Sequence, residues 1–139
     1  MTRLAKVALL LGTITLVIPL WSSTASAATI SVSPSSVAPG AQVTVSGDVL
    51  ANGQLGCSVP GDVTLISPAF EGLGEFAGVG ATTAQADAAG NFSTTVTLSS
   101  SVAPGTYDIS GRCGGGNLGV TATLTVVPAP ISIQPNLTG

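Results

Sequence analysis

Residues 118–126, LGVTATLTV, place Val120, Ala122, Leu124 and Val126 on one parity and Thr121, Thr123 and Thr125 on the other. A repeat of two belongs to an extended chain with one buried face, because successive side chains leave a strand on opposite sides. Threonine is β-branched and suits the half-wet side of a pleated surface. The stretch reads as a strand with an apolar inner face and a hydroxyl outer face.

Outward from there the same pattern recurs toward the N-terminus. TYDISGRC sets Tyr107, Ile109 and Cys113 against Thr106, Asp108, Ser110 and Arg112, and FSTTVTL sets Phe92, Val96 and Leu98 against Ser93, Thr95 and Thr97. A weaker run covers 79–86; DVTLIS pairs Val63 with Leu65, QVTVSGDV pairs Val43, Val45 and Val49, and TISVS pairs Ile30 with Val32. Turn-forming clusters separate these runs: SPSSVAPG, VPGD, DAAGN and CGGGN. About seven short strands in one domain-sized stretch predict an all-β, immunoglobulin-like Greek-key sandwich. In that strand order the second-to-third and sixth-to-seventh connections share an end. Cys57 and Cys113, the only cysteines, therefore meet there, and an oxidising compartment would join them. The hexapeptide SSVAPG occurs at 35–40 and again at 100–105. It predicts one turn used twice, at a common end. Tyr107, at the start of the sixth strand, fits a tyrosine corner that ties its hydroxyl to upstream backbone.

The first 27 residues differ in character. Arg3 and Lys6 precede an apolar run over 7–20, VALLLGTITLVIPL, and Ala25-Ser26-Ala27 follows as a small-residue cleavage signal. This predicts a cleaved signal peptide over 1–27, because fourteen apolar residues fall short of the ~20 needed to span a bilayer. The sandwich is expected over 28–127, with no membrane span after cleavage. Residues 128–139, PAPISIQPNLTG, carry three prolines and read as a flexible tail. No apolar segment with a basic flank follows them, so the chain is expected to be a free secreted domain or a stub of a longer protein.

After that cleavage Arg112 is the one cation against six acids, and histidine is absent throughout. Such a chain cannot build the basic surface that nucleic acid requires, nor a Ser-His-Asp triad or an imidazole metal site. Nothing in the sequence implies a cofactor or a metal, and an enzyme would have to use carboxylates alone. Glu71 and Glu75 are the pair available, in SPAFEGLGEFAGVG (67–80), the longest connection. Two carboxylates suit glycosidase chemistry in principle. However, the glycines around them argue against fixed geometry, and two acids fall short of calcium's six or more oxygens. Solvated acids are the expected reading. The same loop holds Phe70 and Phe76, the expected anchors for a partner, since long ordered loops on a sandwich often carry binding. Arg112 and Asn117 flank the bare GGG of the last hairpin. Arg112 is expected to pair with Asp62 or Asp108, or to hold a carboxylate-bearing ligand. Asp87–Asn91 is expected to be a tight turn with glycine in the left-handed region. The Ser/Thr-rich outer faces suit O-linked sugar or simple solubility, and Asn91 and Asn136 fall in N-glycosylation triplets.

From SVSPSSVAPGAQVTVSG to APGTYDISGRCGGGNLGVTATLTV, the chain resembles the Ig-like domains of secreted bacterial proteins, actinobacterial ones especially. Its opening also distantly resembles the neocarzinostatin-type chromoprotein apoproteins. Those carry two disulfides and an apolar cleft for an enediyne, whereas this chain has cysteines for one bridge. The first resemblance implies a secreted, non-enzymatic and monomeric domain, extracellular or held at the cell wall. Such a domain would recognise an extracellular protein or glycan. The alternatives are a small-molecule binder of the chromoprotein kind, an accessory module of a longer secreted protein, and a carboxylate-only hydrolase.

Overall fold

The strands form where the alternation put them, with two short additions. In chain order they are β1 (Thr29–Ser33), β2 (Ser36–Val37), β3 (Gln42–Asp48), β4 (Gly61–Ile66), β5 (Glu75–Phe76), β6 (Val79–Ala86), β7 (Asn91–Thr97), β8 (Gly105–Cys113) and β9 (Gly116–Val126). The computed structural model describes residues 27–49 and 57–131. The expected signal peptide lies outside them except for Ala27, as does the tail from 132 onward with Asn136.

The strands hydrogen-bond in the order β1-β3-β7-β6-β4-β8-β9-β2. β6 meets β7 at a single pair, Ala86 with Phe92, so the path divides there into two layers. One is β1-β3-β7 and the other is β6-β4-β8-β9, with β2 added in parallel to the end of β9. β1 packs across onto β8 and β9, which closes the opposite side. The fourth expected strand, β6, pairs with β4 along its length from Gly61–Ala86 to Ile66–Ala81. It thus belongs to the layer of its predecessor.

The inward parity supplies the core: Val43 and Val45, Val63 and Leu65, Phe92 and Val96, Ile109, Leu124 and Val126 are all buried. Each such side chain contributes about 1.5–3 kcal/mol on leaving water. Cys57 and Cys113 are joined by a disulfide across a sequence separation of 56, a loop worth about 4 kcal/mol in the chain-entropy account. The Tyr107 hydroxyl donates to the Ala103 carbonyl at 2.7 Å, completing the tyrosine corner. In the turn before β7, Asp87 Oδ1 accepts from the amides of Ala89 and Asn91, and Gly90 sits at φ +83°.

The two SSVAPG copies do lie at one end, where the Gly40 amide donates to the Ser99 carbonyl at 3.2 Å. They are not one turn used twice. In the first copy the turn is closed by Ala41 N–H to Ala38 O around Pro39-Gly40, with Gly40 at φ +79°. In the second the turn falls earlier, closed by Val102 N–H to Ser99 O around the two serines, and Gly105 simply opens β8. What the copies share is a buried valine, Val37 and Val102.

Near the disulfide the β8–β9 register shifts: Ser110 faces Thr121 but Arg112 faces Asn117. The extra residues on β9 form a bulge around Gly119 at φ +74°, whose amide donates to Asn117 Oδ1 at 2.8 Å. Leu118 reaches over Gly111 beside Ile30, where an added Cβ on Gly111 would lie 2.6 Å from Leu118 Cδ1.

Candidate functional site

The connection from β4 to β6 has a buried root and an exposed tip. At the root, Ser67 is buried, and its Oγ accepts from the Ala69 amide at 3.3 Å, starting a 3₁₀ turn over Pro68–Phe70. This turn drives Phe70 inward until none of its surface reaches solvent (0% exposed). Phe70 is therefore a core residue and cannot anchor a partner as the sequence led us to expect. Gly80, at the start of β6, lies so close that a Cβ there would sit 2.4 Å from the Phe70 carbonyl carbon.

Beyond Phe70 the chain turns through 71–73, and Gly74 O accepts from the Ala81 amide at 3.0 Å. β5 then pairs with β6, Glu75 with Gly80 and Phe76 with Val79, around a two-residue turn. Both turn residues are left-handed, Ala77 at φ +52° and Gly78 at φ +82°. Ala77 is the only non-glycine among the described residues with positive φ, a conformation that costs an L-residue about 1–2 kcal/mol.

This small hairpin is a flap with two different faces, since neighbouring strand residues point to opposite sides. Glu71 and Glu75 together line one open hollow of ≈ 490 Å³, floored by glycines. Phe76 occupies the other side, where the Arg112 guanidinium lies over its ring, 5.1 Å from the centroid. The sequence candidates thus separate: Glu71 lies on one side of the flap, Phe76 with Arg112 on the other, and Glu75 at the edge between them. Arg112 also donates from Nη2 to the Gly115 carbonyl at 3.1 Å. It pairs with neither expected acid, because register gives those acids other neighbours. Asp62 accepts from Gln85 on β6, and Asp108 accepts from Thr123 on β9 at 3.4 Å.

Beneath Phe76 the outer face of the larger layer carries a row that crosses four strands. Thr83 of β6 stands beside Thr64 of β4, Thr64 beside Arg112 of β8, and Arg112 beside Asn117 of β9. Directly opposed residues share a face. Adjacent strands are about 4.8 Å apart, so the row extends about 14 Å. A second hollow of ≈ 400 Å³ opens between flap and row, lined by Thr64 and Thr83 of the row and by Leu73, Glu75 and Phe76 of the flap, so Glu75 borders both hollows. Thr64 and Thr83 were not singled out from the sequence. The outward parity of Thr64 followed from Val63 and Leu65, whereas the weak run over 79–86 gave Thr83 no face, and only register sets both beside Arg112. Neither hollow is a deep apolar cleft of the kind a chromoprotein-like carrier needs.

No protein-family model matches the chain, and no curated protein matches it significantly in sequence. The fold and the row define an all-β sandwich with a polar outer face on one layer, and a solved structure of similar fold is an adhesin. The adhesin InvE of Yersinia pseudotuberculosis aligns with TM-score 0.53 and 25% identity, over 74% of this chain and 27% of that one. The likeness is thus to one part of a much longer chain. The alkylpurine DNA glycosylase AlkC of Pseudomonas fluorescens, solved bound to DNA containing an abasic site analog, aligns at TM-score 0.46 and 13% identity. That match covers 75% of this chain and 31% of that one, a likeness too low to bear on function. No helix among the described residues is long and apolar enough to cross a membrane.

Proposed function

We propose that this chain is an extracellular recognition domain of the adhesive kind, non-enzymatic and monomeric. In this reading it is exported by removal of residues 1–27 and acts as a secreted or wall-held sandwich over 28–127. The observation that carries this reading is the 25% identity to an adhesin across 74% of the chain. The disulfide between Cys57 and Cys113 supports it, since such bonds persist in oxidising compartments. The binding face is the outer side of β6-β4-β8-β9 under the flap, with Phe76, Arg112 and Asn117 contacting the partner. A partly exposed aromatic ring backed by a guanidinium is the kind of anchor that dominates interfaces. Glu71 lies on the far side of the flap, Glu75 borders both hollows, and both serve as solvated acids at its rim.

The test is a binding screen of the oxidised protein on immobilised extracellular-matrix proteins and on a glycan array. Binding to a defined member that drops at least tenfold in Phe76→Ala, and persists in Glu75→Gln, is the expected result. No binding on either panel would overturn the recognition reading, and undiminished binding by Phe76→Ala would remove the flap from it. Release of sugar from a bound glycan, stopped by Glu75→Gln, would show an enzyme instead.

A further inference from the structure

We infer that the row beneath the flap is built for a glycan ending in a single carboxylated sugar. This rests on the recognition reading above and names the ligand class of that same face.

Arg112 carries the argument. It is the only cation among the described residues, and it is held in place from two directions, by the Phe76 ring and by the Gly115 carbonyl. A guanidinium has five N–H donors in a planar fork, and one bond to Gly115 leaves most of them unused. That fork matches a carboxylate in bidentate fashion, and holding it in advance lowers the ordering cost of binding. The nearby acids on this face, Asp62 and Asp108, are already engaged by Gln85 and Thr123.

The remaining groups of the row suit sugar hydroxyls. Thr64 and Thr83 each offer a hydroxyl that both donates and accepts. Asn117 spends its Oδ1 on the Gly119 amide, which leaves its NH₂ donors to face a ligand. The ring of Phe76, 38% exposed, offers an apolar surface to the C–H face of a pyranose. A row of about 14 Å accommodates more than one ring along its length.

Charge selects among acidic glycans. With one cation against six acids in the described residues, a polyanionic chain would be repelled along most of its length. A single terminal carboxylate behaves differently, because at physiological salt it senses charges only within about 8 Å. A basic peptide is disfavoured because the one charge within the row is the cation Arg112, with Asp62, Asp108 and Glu75 only around its margin.

The test titrates the oxidised, exported protein with two matched pairs of sugars, cellobiouronic acid against cellobiose and 3′-sialyllactose against lactose, followed by calorimetry or NMR shifts. In at least one pair the acid should bind tenfold or more tightly than its neutral partner. Arg112→Gln should erase that preference, and Arg112→Lys should restore only part of it, because a point charge lacks the fork. Thr83→Val, an exposed change that leaves the Arg112–Phe76 contact intact, should weaken the acid several-fold. The inference is overturned if neither pair shows a preference for the acid, or if the preference survives Arg112→Gln. Should all four sugars fail while a matrix protein binds through Phe76, the glycan inference falls and the recognition function stands.

Discussion

Residues 69–77, AFEGLGEFA, read identically in both directions about Leu73, yet the two halves do opposite things. Phe70 is completely buried, whereas its mirror partner Phe76 is 38% exposed. The incoming half is fastened to the core: the Ser67 amide donates to Gly80 O at 2.9 Å, and the Phe70 amide donates to Ser67 O at 3.0 Å. A 3₁₀ turn there points its aromatic inward. The outgoing half has no such turn and is instead a two-residue strand paired to β6, whose alternation sends Phe76 toward Arg112. A peptide has direction, and what precedes each phenylalanine is not mirrored. Ser67-Pro68 begins a capped turn, whereas Gly74 leads into a hairpin. One connection thus divides its labour between folding at the root and, in the proposed function, recognition at the tip.

The largest effect that could break this contrast is at the two rings. Phe70→Ala should cost about 3–5 kcal/mol, the range for emptying a fully buried aromatic site. Phe76→Ala forfeits partial burial and an exposed cation–π contact, together about 1 kcal/mol. Urea denaturation of both variants beside the parent measures the difference. Equal losses would mean that the tip is part of the core, and its assignment to binding would have to be withdrawn.

A smaller contrast lies in the glycines of the same segment. An added Cβ at Gly80 would meet backbone atoms of Phe70 and Glu71 at 2.4–2.6 Å, and no side-chain rotation relieves that. Gly80→Ala should therefore cost about 1–3 kcal/mol as an overpacking change, and it should also displace the flap and lower binding. Gly72, at φ +85° with nothing within 4 Å of its would-be Cβ, should lose only about 1 kcal/mol on becoming alanine, from backbone strain. Thermal unfolding ranks the pair, and a reversed order would place the anchor of the flap away from Gly80.

How much of this the sequence discloses follows from what a repeat of two encodes. Alternation tells which side of a strand a residue faces, so the seven longer strands, the core valines of those strands and the outward position of Arg112 were legible. Alternation does not tell which strand lies alongside. That is why β6 proved to belong beside β4, why Thr64 and Thr83 went unnoticed, and why Arg112 missed both acids offered to it. Register sets Asp62 against Gln85 and Asp108 against Thr123. Local identity was equally silent about conformation: the two SSVAPG copies turn at different residues, and the palindrome buries one phenylalanine and presents the other. The disulfide was legible because it depends only on which loops share an end of the sandwich.

The finest test of the palindrome makes one substitution at two mirror positions. Ala77 and Gly78 both adopt positive φ in a two-residue hairpin turn, a geometry in which Asn-Gly is the favoured pair. Ala77→Asn should relieve strain and stabilise the protein by about 0.5–1 kcal/mol, in line with other residues better matched to their backbone. Ala69, its mirror image, is fully buried in the 3₁₀ turn, and asparagine there would carry an amide into the core without a partner. The same change should therefore raise the melting temperature at position 77 and lower it at 69. If Ala77→Asn instead lowered it, the left-handed turn would not govern the tip, and the placement of Phe76 over Arg112 would need another cause.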